Sequence, residues 1–201
     1  MLTLFECGPT RAVRCRWLLQ EMNVPFEARQ IDLMKGEHLR PEYLAINPFG
    51  KVPALKDGDF VLTESIAICT YLADKFPEKQ MAPLAGTQER AIYNQWMLFC
   101  ATELEAHLWA IEKNTWLYPE RLRSQAGITA ASHDFSKAAA VFDNYMLGRN
   151  HILNGGFSAA DVIMGYVMNW AATRGLIADF PQLMAYHMRL VTRPAYPKPK
   201  A

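Results

Sequence analysis

The segment from residue 47 to residue 65, NPFGKVPALKDGDFVLTES, carries backbone groups that are suited to binding a small peptide-like anion. Val52-Pro53 opens a short apolar strand with a residue that has no amide hydrogen, so a sheet ladder cannot continue through it. The residue before a proline is held in extended geometry. Val52 is therefore expected to offer its own N–H and C=O to an extended ligand rather than to a neighbouring strand.

Glu64 and Ser65 end this segment at a predicted helix start. Asp57-Gly58 predicts a tight hairpin between strands at 52–56 and 59–63, and apolar residues at helical spacing follow Ser65. The free amides and the positive end of the helix dipole favour a carboxylate there, while Glu64 could pair with an ammonium group. The alternative is structural, because Ser65 can simply cap the helix and Glu64 complement its dipole.

The elements that must position these groups form a small α/β domain at residues 1–76. The order βαβαββα is predicted, and it suits a mixed sheet with helices on both faces. Its elements are strands at 2–6 and 26–31, helices at 10–22 and 65–75, a helical turn at 41–46 and the hairpin.

An all-α helical bundle is predicted to follow at residues 87–201, after a proline- and glycine-containing linker at 77–86. Residues 88–113 and 119–146 are long runs with apolar residues at helical spacing, as an antiparallel bundle requires. Ser158 and Asp161 predict a capping box at the start of a further helix.

Composition narrows the class of protein. A net charge of +1 gives no electrostatic reason to expect nucleic acid or an anionic membrane as partner, and no apolar run approaches the length of a membrane span. The four cysteines show neither metal-ligand spacing nor a disulfide framework. We expect reduced thiols, no metal and a cytoplasmic location.

The binding segment and the Ser158–Asp161 pair together resemble the cytosolic glutathione transferase family, whose N-terminal half is a thioredoxin-like domain. The resemblance covers most of the 201 residues. It implies that glutathione is the co-substrate and that Pro53 is the family's cis-proline. It further implies that Val52 pairs with the cysteinyl part of glutathione, and that Glu64 and Ser65 hold the γ-glutamyl end. Lys51 and His38 would meet the glycine carboxylate.

Glutathione chemistry needs a thiolate, and the resemblance places its stabiliser at the junction Cys7 to Arg11, where no tyrosine occurs. A match to theta and delta members puts Cys7 at the catalytic serine. An ungapped match puts Pro9 there, with Thr10 as the nearest hydroxyl and Arg11 where chi-class members use an arginine. We therefore expect a bacterial-type member with theta/delta-like or chi/nu-like features. Each residue also has a structural alternative: a buried cysteine, a helix cap and a surface charge, respectively.

The electrophile site is expected between the domains, where pockets commonly form. The helical half offers candidates for lining it, although the same apolar stripe would also suit a core: Phe99, Glu103, His107, Trp109, Trp116 and Tyr118. The resemblance implies a homodimer as well, for which Phe49, Tyr93 and Trp96 are candidate anchors.

The leading hypothesis is therefore a glutathione transferase that conjugates the glutathione thiolate to apolar electrophiles. One alternative is a glutathione-dependent thiol-disulfide oxidoreductase that uses Cys7 as its nucleophile. Another is a non-enzymatic module that keeps the fold to bind a protein partner. The ligand-binding pattern argues against the module, because a scaffold has no need of a ligand site: Lys51, Val52, Pro53, Glu64 and Ser65.

Overall fold

A computed structural model describes residues 1–197, so that positions 198–201 at the end of the predicted helical domain lie outside the described residues. The N-terminal part contains four strands and three α-helices: β1 (Leu2–Glu6), α1 (Ala12–Glu21), β2 (Phe26–Gln30), α2 (Pro41–Leu44), β3 (Ala54–Asp57), β4 (Phe60–Thr63) and α3 (Ser65–Lys75). The predicted order βαβαββα is confirmed, and a 3₁₀ turn at Glu37–Leu39 precedes α2.

The four strands form one mixed sheet in the order β2-β1-β3-β4. β1 runs parallel to β2 and antiparallel to β3, while β3 and β4 form the predicted hairpin. β3 begins at Ala54 rather than Val52. The two-residue loop is Gly58-Asp59, because Asp57 still pairs with Phe60, and Gly58 supplies the positive φ of 61°.

Both faces of this sheet are covered. On one face, Tyr43 of α2 packs edge-on against Phe5, with ring centroids 6.0 Å apart. Because side chains alternate along a strand, Leu4 points to the other face, where α1 and α3 pack against each other. Helix α1 buries Trp17 and α3 buries Ile68 completely. The mixed sheet with helices on both faces is therefore as predicted.

The second part of the chain is helical. It contains α4 (Gln88–Phe99), α5 (Ala106–Glu112), α6 (Gln125–Tyr145), α7 (Ala159–Thr173) and α8 (Pro181–Val191). The π-helical segment Cys100–Glu105 joins α4 to α5, where the sequence predicted a regular helix, and a second one, Lys113–Leu117, follows α5 directly. Periodicity did not reveal them, because a π-turn inserts a residue without breaking the helix.

The start of α7 carries the predicted capping box. The Asp161 carboxylate is fully buried and accepts hydrogen bonds from the Ser158 amide at 2.9 Å and the Ile152 amide at 3.0 Å. The hydroxyl of Tyr186 on α8 donates to it at 2.8 Å. Burial raises the pKa of Asp161, although these hydrogen bonds act in the opposite direction.

The chain divides into two compact units, one formed by residues 1–82 with the C-terminal residues from 193 onward, the other by residues 83–192. The boundary at 82 falls inside the linker predicted at 77–86. The C-terminal boundary differs from the predicted 87–201, because Arg193 forms a two-pronged ion pair with Glu21 of α1, at 2.6 and 2.9 Å. Tyr196 packs against Trp17 at 4.8 Å between ring centroids.

Candidate functional site

The backbone around Val52 is held by two side chains of the preceding turn. The Lys51 carbonyl accepts hydrogen bonds from the Tyr43 hydroxyl and the Asn47 amide group, both at 2.6 Å. Burial raises the pKa of Tyr43 to about 12, so this hydroxyl stays a donor at neutral pH. The sequence analysis missed both residues, because their role depends on how the turn folds back.

Val52 itself is left available. The Val52–Pro53 peptide bond is cis, and within residues 1–197 no hydrogen bond engages the amide or carbonyl of Val52. A half-buried residue with a free donor and a free acceptor can pair with an extended peptide in the way that a sheet edge does.

Ser65 is buried at the start of α3, and its hydroxyl accepts a hydrogen bond from Nη1 of Arg14 at 3.1 Å. Because the hydroxyl accepts there, its own proton remains available to a ligand oxygen. Arg14 is only 1% exposed and brings a positive charge beneath this helix end. The sequence analysis did not single out Arg14, although its position beside Cys15 on an apolar helix could have indicated burial.

Glu64, immediately before α3, has a strained backbone. Its φ of 69° and ψ of 112° lie outside the conformations that a residue with a side chain prefers. Such strain costs about 1–3 kcal/mol and concentrates at functional sites. The Glu64 carbonyl accepts the first hydrogen bond of the helix, from Ile68 at 2.9 Å, and its side chain is exposed. The amides of the first helical turn thus lie beside an exposed carboxylate.

Lys51 and His38 lie on neighbouring backbone segments. A Cβ at Gly50 would lie 3.0 Å from the His38 carbonyl, so the glycine, with a φ of 59°, allows the close approach. Lys51 is exposed and forms no ion pair within residues 1–197. His38 is half-buried, and its Nδ1 atom has no hydrogen-bond partner among the same residues. The backbone next to Lys51 therefore lies against the backbone of His38.

The junction from Cys7 to Arg11 connects β1 to α1 and contains a second cis bond, Gly8–Pro9. The Thr10 hydroxyl donates to the Cys7 carbonyl and accepts from the Ala12 amide at 3.3 Å, so it bonds to backbone on both sides. Helix α1 begins at Ala12 with Arg11 in the N-cap position, two residues later than predicted. Cys7 is half-buried, whereas Cys15, Cys69 and Cys100 are buried, and all four are free.

The candidates for the electrophile site occupy two separate aromatic groups of the helical unit. Phe99 packs against Trp96 at 5.1 Å, and Glu103 and His107 follow it at intervals of four residues. Trp109 instead contacts Trp170 at 6.3 Å. Trp116 is exposed and Tyr118 half-buried.

A buried carboxylate, Glu112, organises the second aromatic group. It accepts hydrogen bonds from the indoles of Trp116 and Trp170, the latter at 2.8 Å, and from the guanidinium of Arg174. Burial acts to raise the pKa of Glu112, but the bonds from Arg174 and the two indoles hold it below its ordinary value. The sequence analysis missed Glu112, since its partners Trp170 and Arg174 lie about sixty residues away.

Among residues 1–197, no group of three or more histidine, cysteine, aspartate or glutamate side chains could hold a metal ion. None of the described helices is long and apolar enough to cross a membrane.

The chain resembles known proteins along its whole length. Residues 1–74 match the family model described as glutathione S-transferase, N-terminal domain. The chain is 35% identical to glutathione S-transferase F10 of Arabidopsis thaliana, over 98% of this chain and 94% of the plant protein.

Solved structures agree with this match. Glutathione transferase URE2P6 from Phanerochaete chrysosporium, in complex with oxidized glutathione, has a TM-score of 0.87 at 26% identity, over 97% of this chain and 92% of that chain. A sphingomonad glutathione S-transferase complexed with glutathione has a TM-score of 0.83 at 29% identity, covering 96% of this chain and 94% of that chain.

The fold is that of a thioredoxin-like domain with a four-stranded mixed sheet, followed by a helical domain. The chain belongs to the glutathione S-transferase family, and it is a glutathione transferase enzyme. The similar proteins named above come from Arabidopsis thaliana, Phanerochaete chrysosporium and a sphingomonad, so they select no single class within the family.

Proposed function

We propose that the co-substrate glutathione lies extended along the segment from Lys51 to Ser65. The cysteinyl part pairs with the amide and carbonyl of Val52. The γ-glutamyl carboxylate binds the amides and hydroxyl at the start of α3, while Glu64 pairs with the ammonium group. Lys51, with His38 beside it, meets the glycine carboxylate.

One observation carries this proposal. Among residues 1–197, no partner engages either backbone group of Val52, while Tyr43 and Asn47 hold the neighbouring carbonyl in place at 2.6 Å. A binding strand that is fixed before the ligand arrives loses little conformational entropy on binding. The strained Glu64 and the Arg14-supported Ser65 supply charge and donors for the other end of the ligand.

The chemistry takes place at the junction from Cys7 to Arg11. Free thiols have a pKa of about 8.5, so an enzyme must stabilise the thiolate to use it at neutral pH. The N-terminal end of α1 supplies positive potential there, and Arg11 stands at its N-cap. The Thr10 hydroxyl is engaged by backbone, which favours a positioning role for Thr10. The thiolate then attacks an apolar electrophile, which proximity accelerates.

Calorimetry with glutathione tests the binding proposal on two exposed lysines that flank the start of β3. Lys51→Ala should weaken glutathione binding by roughly 10- to 100-fold, because a charge-assisted contact is lost. Lys56→Ala is the matched control and should bind like the wild type. Equal affinities for the two variants would contradict the placement of the glycine carboxylate.

A second candidate activity is thiol-disulfide exchange at Cys7, which is favoured because Cys7 alone of the four cysteines is not buried. The Cys7 thiolate would attack glutathione disulfide, forming a Cys7–glutathione bond and releasing one glutathione thiolate. Mass spectrometry after exposure to glutathione disulfide should then show an adduct that Cys7→Ser abolishes. An unmodified Cys7 would exclude this activity.

The electrophile site is proposed on the helical unit, with Phe99, Glu103, His107 and Trp109 as its candidate residues. The exposure of Trp109, Trp116 and Leu98 supports an apolar aromatic surface for such substrates. With a series of aryl electrophiles, Trp109→Ala should raise KM for the electrophile. A change elsewhere on the surface, such as Ile92→Ala, should leave this KM unaltered.

A homodimer is proposed with Phe49 as an anchor, since its side chain is 76% exposed. Tyr93 and Trp96 do not qualify as anchors, because both are buried within the helical unit. Light scattering should give twice the chain mass, and Phe49→Ser should shift it toward the monomer. A wild-type monomer would contradict this proposal.

The class within the family and the location in the cell are proposals as well. A junction with Cys7, Thr10 and Arg11 and no tyrosine supports theta/delta-like or chi/nu-like features in a bacterial-type member. Four free cysteines support a cytoplasmic location, because a reducing compartment maintains them.

A further inference from the structure

Glu6 ends β1 and directly precedes the junction from Cys7 to Arg11. Its carboxylate is only 5% exposed and receives three hydrogen bonds. Arg16 of α1 donates through Nε at 2.8 Å and also through Nη2, and Gln30 at the end of β2 donates through its side-chain amide. One carboxylate therefore joins β1, α1 and β2 at the sheet edge from which the junction departs.

Both ends of the junction depend on this contact. The Glu6 carbonyl also accepts the Ile31 amide at 2.8 Å, so the backbone and the side chain of Glu6 are both fixed. At the other end, Arg16 belongs to α1, which begins at Ala12. Backbone amides of the first turn of α1 donate hydrogen bonds to the carbonyls of Thr10 and Arg11. The ion pair thus sets the distance between the end of β1 and the start of α1.

An apolar contact between β1 and α1 could stabilise the fold as well as the Glu6–Arg16 pair does, but it would not fix the relative orientation of the two elements. Burying a charged pair costs solvation free energy, and well-packed hydrophobic residues are often as stabilising. Burial also lowers the pKa of Arg16, whose guanidinium lies 5.5 Å from the centre of the Phe26 ring. What the two-pronged pair adds is a fixed orientation between two elements.

We propose that Glu6 and Arg16 are positioning residues that hold the junction from Cys7 to Arg11 in the geometry that activates the glutathione thiol. This inference rests on the proposed function, which places the sulfur at that junction. Neither side chain needs to touch glutathione, because they act through the backbone of Cys7 and the start of α1.

Steady-state kinetics of Glu6→Gln and Arg16→Met test the proposal, with glutathione varied at saturating electrophile. Each variant should lower kcat about 10- to 100-fold, the cost of misplacing reacting groups by about an ångström. KM for glutathione should stay within about a factor of two, since residues 51–65 hold the tripeptide. The ultraviolet absorbance of the bound thiolate should fall in parallel with kcat.

Two further variants keep the test decisive. Glu27→Gln breaks the exposed Glu27–Arg29 pair on β2 and should leave kcat and KM unchanged. Gln30→Met removes a single donor and keeps the Glu6–Arg16 pair. We expect it to fold even if Glu6→Gln fails to fold. It should lower kcat about 3- to 10-fold, as one lost hydrogen bond does.

The outcomes separate this proposal from the one on which it rests. If folded variants lose thermal stability but keep kcat and the thiolate absorbance, the pair is merely structural and the inference is wrong. A rise in KM with kcat unchanged would overturn it as well. A wild-type enzyme whose bound glutathione shows no more thiolate absorbance than free glutathione at the same neutral pH would instead contradict the placement of the sulfur at Cys7 to Arg11.

Discussion

At the scale of single residues, the start of α3 combines three different contributions. Glu64 has a strained backbone conformation, with a φ of 69°. Its acidic side chain lies beside the first turn of the helix. Ser65 offers a hydroxyl proton. Arg14 holds that hydroxyl from below at 3.1 Å and adds a positive charge. The strain at Glu64 is consistent with a site that is shaped for binding rather than for helix stability alone.

Ser65→Ala provides a prediction at this scale. Removing the hydroxyl that is proposed to donate to the γ-glutamyl carboxylate should weaken glutathione binding by about 10- to 100-fold, since hydrogen bonds to charged groups contribute about 1.5–3 kcal/mol. Isothermal titration calorimetry measures the change. Ser136→Ala, an exposed serine of α6, is the control. An unchanged affinity in Ser65→Ala would mean that this hydroxyl only caps the helix.

At the scale of elements, buried carboxylates fasten the helices of the second unit to one another. Asp161 at the start of α7 binds the hydroxyl of Tyr186 on α8. Glu112 at the end of α5 binds Trp170 and Arg174 at the end of α7. In both places a charge with several donors fixes the relation of two helices that apolar packing alone would orient less specifically.

Asp161→Asn should destabilise the protein by at least about 2 kcal/mol, because an amide cannot accept from all the donors that surround this position. Urea denaturation followed by circular dichroism gives the unfolding free energy. Asp134→Asn, an exposed aspartate of α6, is the control and should change stability little. A loss no larger than that of Asp134→Asn would contradict the assigned role.

Glu112 gives a prediction for pH dependence. Its pKa in the folded protein lies below the ordinary value of 4.5, so its ionised form stabilises the fold above that value. This contribution disappears as the pH falls through the unfolded and then the folded pKa. The wild type should therefore lose stability more steeply than Glu112→Gln between about pH 5 and pH 3.

Thermal unfolding of both proteins at a series of pH values makes the comparison. Glu120→Gln, which removes an exposed carboxylate nearby in sequence, should follow the wild-type curve. Parallel curves for wild type and Glu112→Gln would show that the carboxylate does not carry the acid sensitivity.

At the scale of the whole molecule, the C-terminal segment that starts at Arg193 belongs to the N-terminal unit. The N-terminal unit is built from residues 1–82 and the segment that starts at Arg193, so two distant parts of the sequence complete it. Glu21 is the meeting point, since it accepts from Arg193 and also from the indole of Trp17 at 2.8 Å. The stability of α1 therefore depends on residues that follow the last helix.

Arg193→Met should expose this dependence. It leaves the largely buried Glu21 carboxylate without its cation, which should cost about 1–3 kcal/mol. Hydrogen exchange followed by mass spectrometry should show α1 peptides exchanging faster, while α7 peptides keep their protection. Arg29→Met, which breaks a solvent-exposed ion pair, should leave both sets unchanged. Unaltered exchange in α1 would contradict the role of the C-terminal segment.

Much of the fold follows from local patterns. The order βαβαββα and the capping box at Ser158 and Asp161 are set by short-range rules for strands, turns and helix ends, and the structure confirms them. The π-helical segments and the start of α1 at Ala12 were not predicted. Both depend on backbone hydrogen bonds that the spacing of apolar residues does not reveal.

The sequence predicts where a ligand could bind, because proline at position 53 and a helix start at Ser65 impose their backbone consequences locally. The side-chain contacts that support these backbone segments are seen only in the tertiary structure. Arg14 reaches Ser65 across fifty-one positions, and Glu6 meets Gln30 across twenty-four. Such contacts depend on packing between elements that are distant in the chain, and no local sequence pattern encodes them.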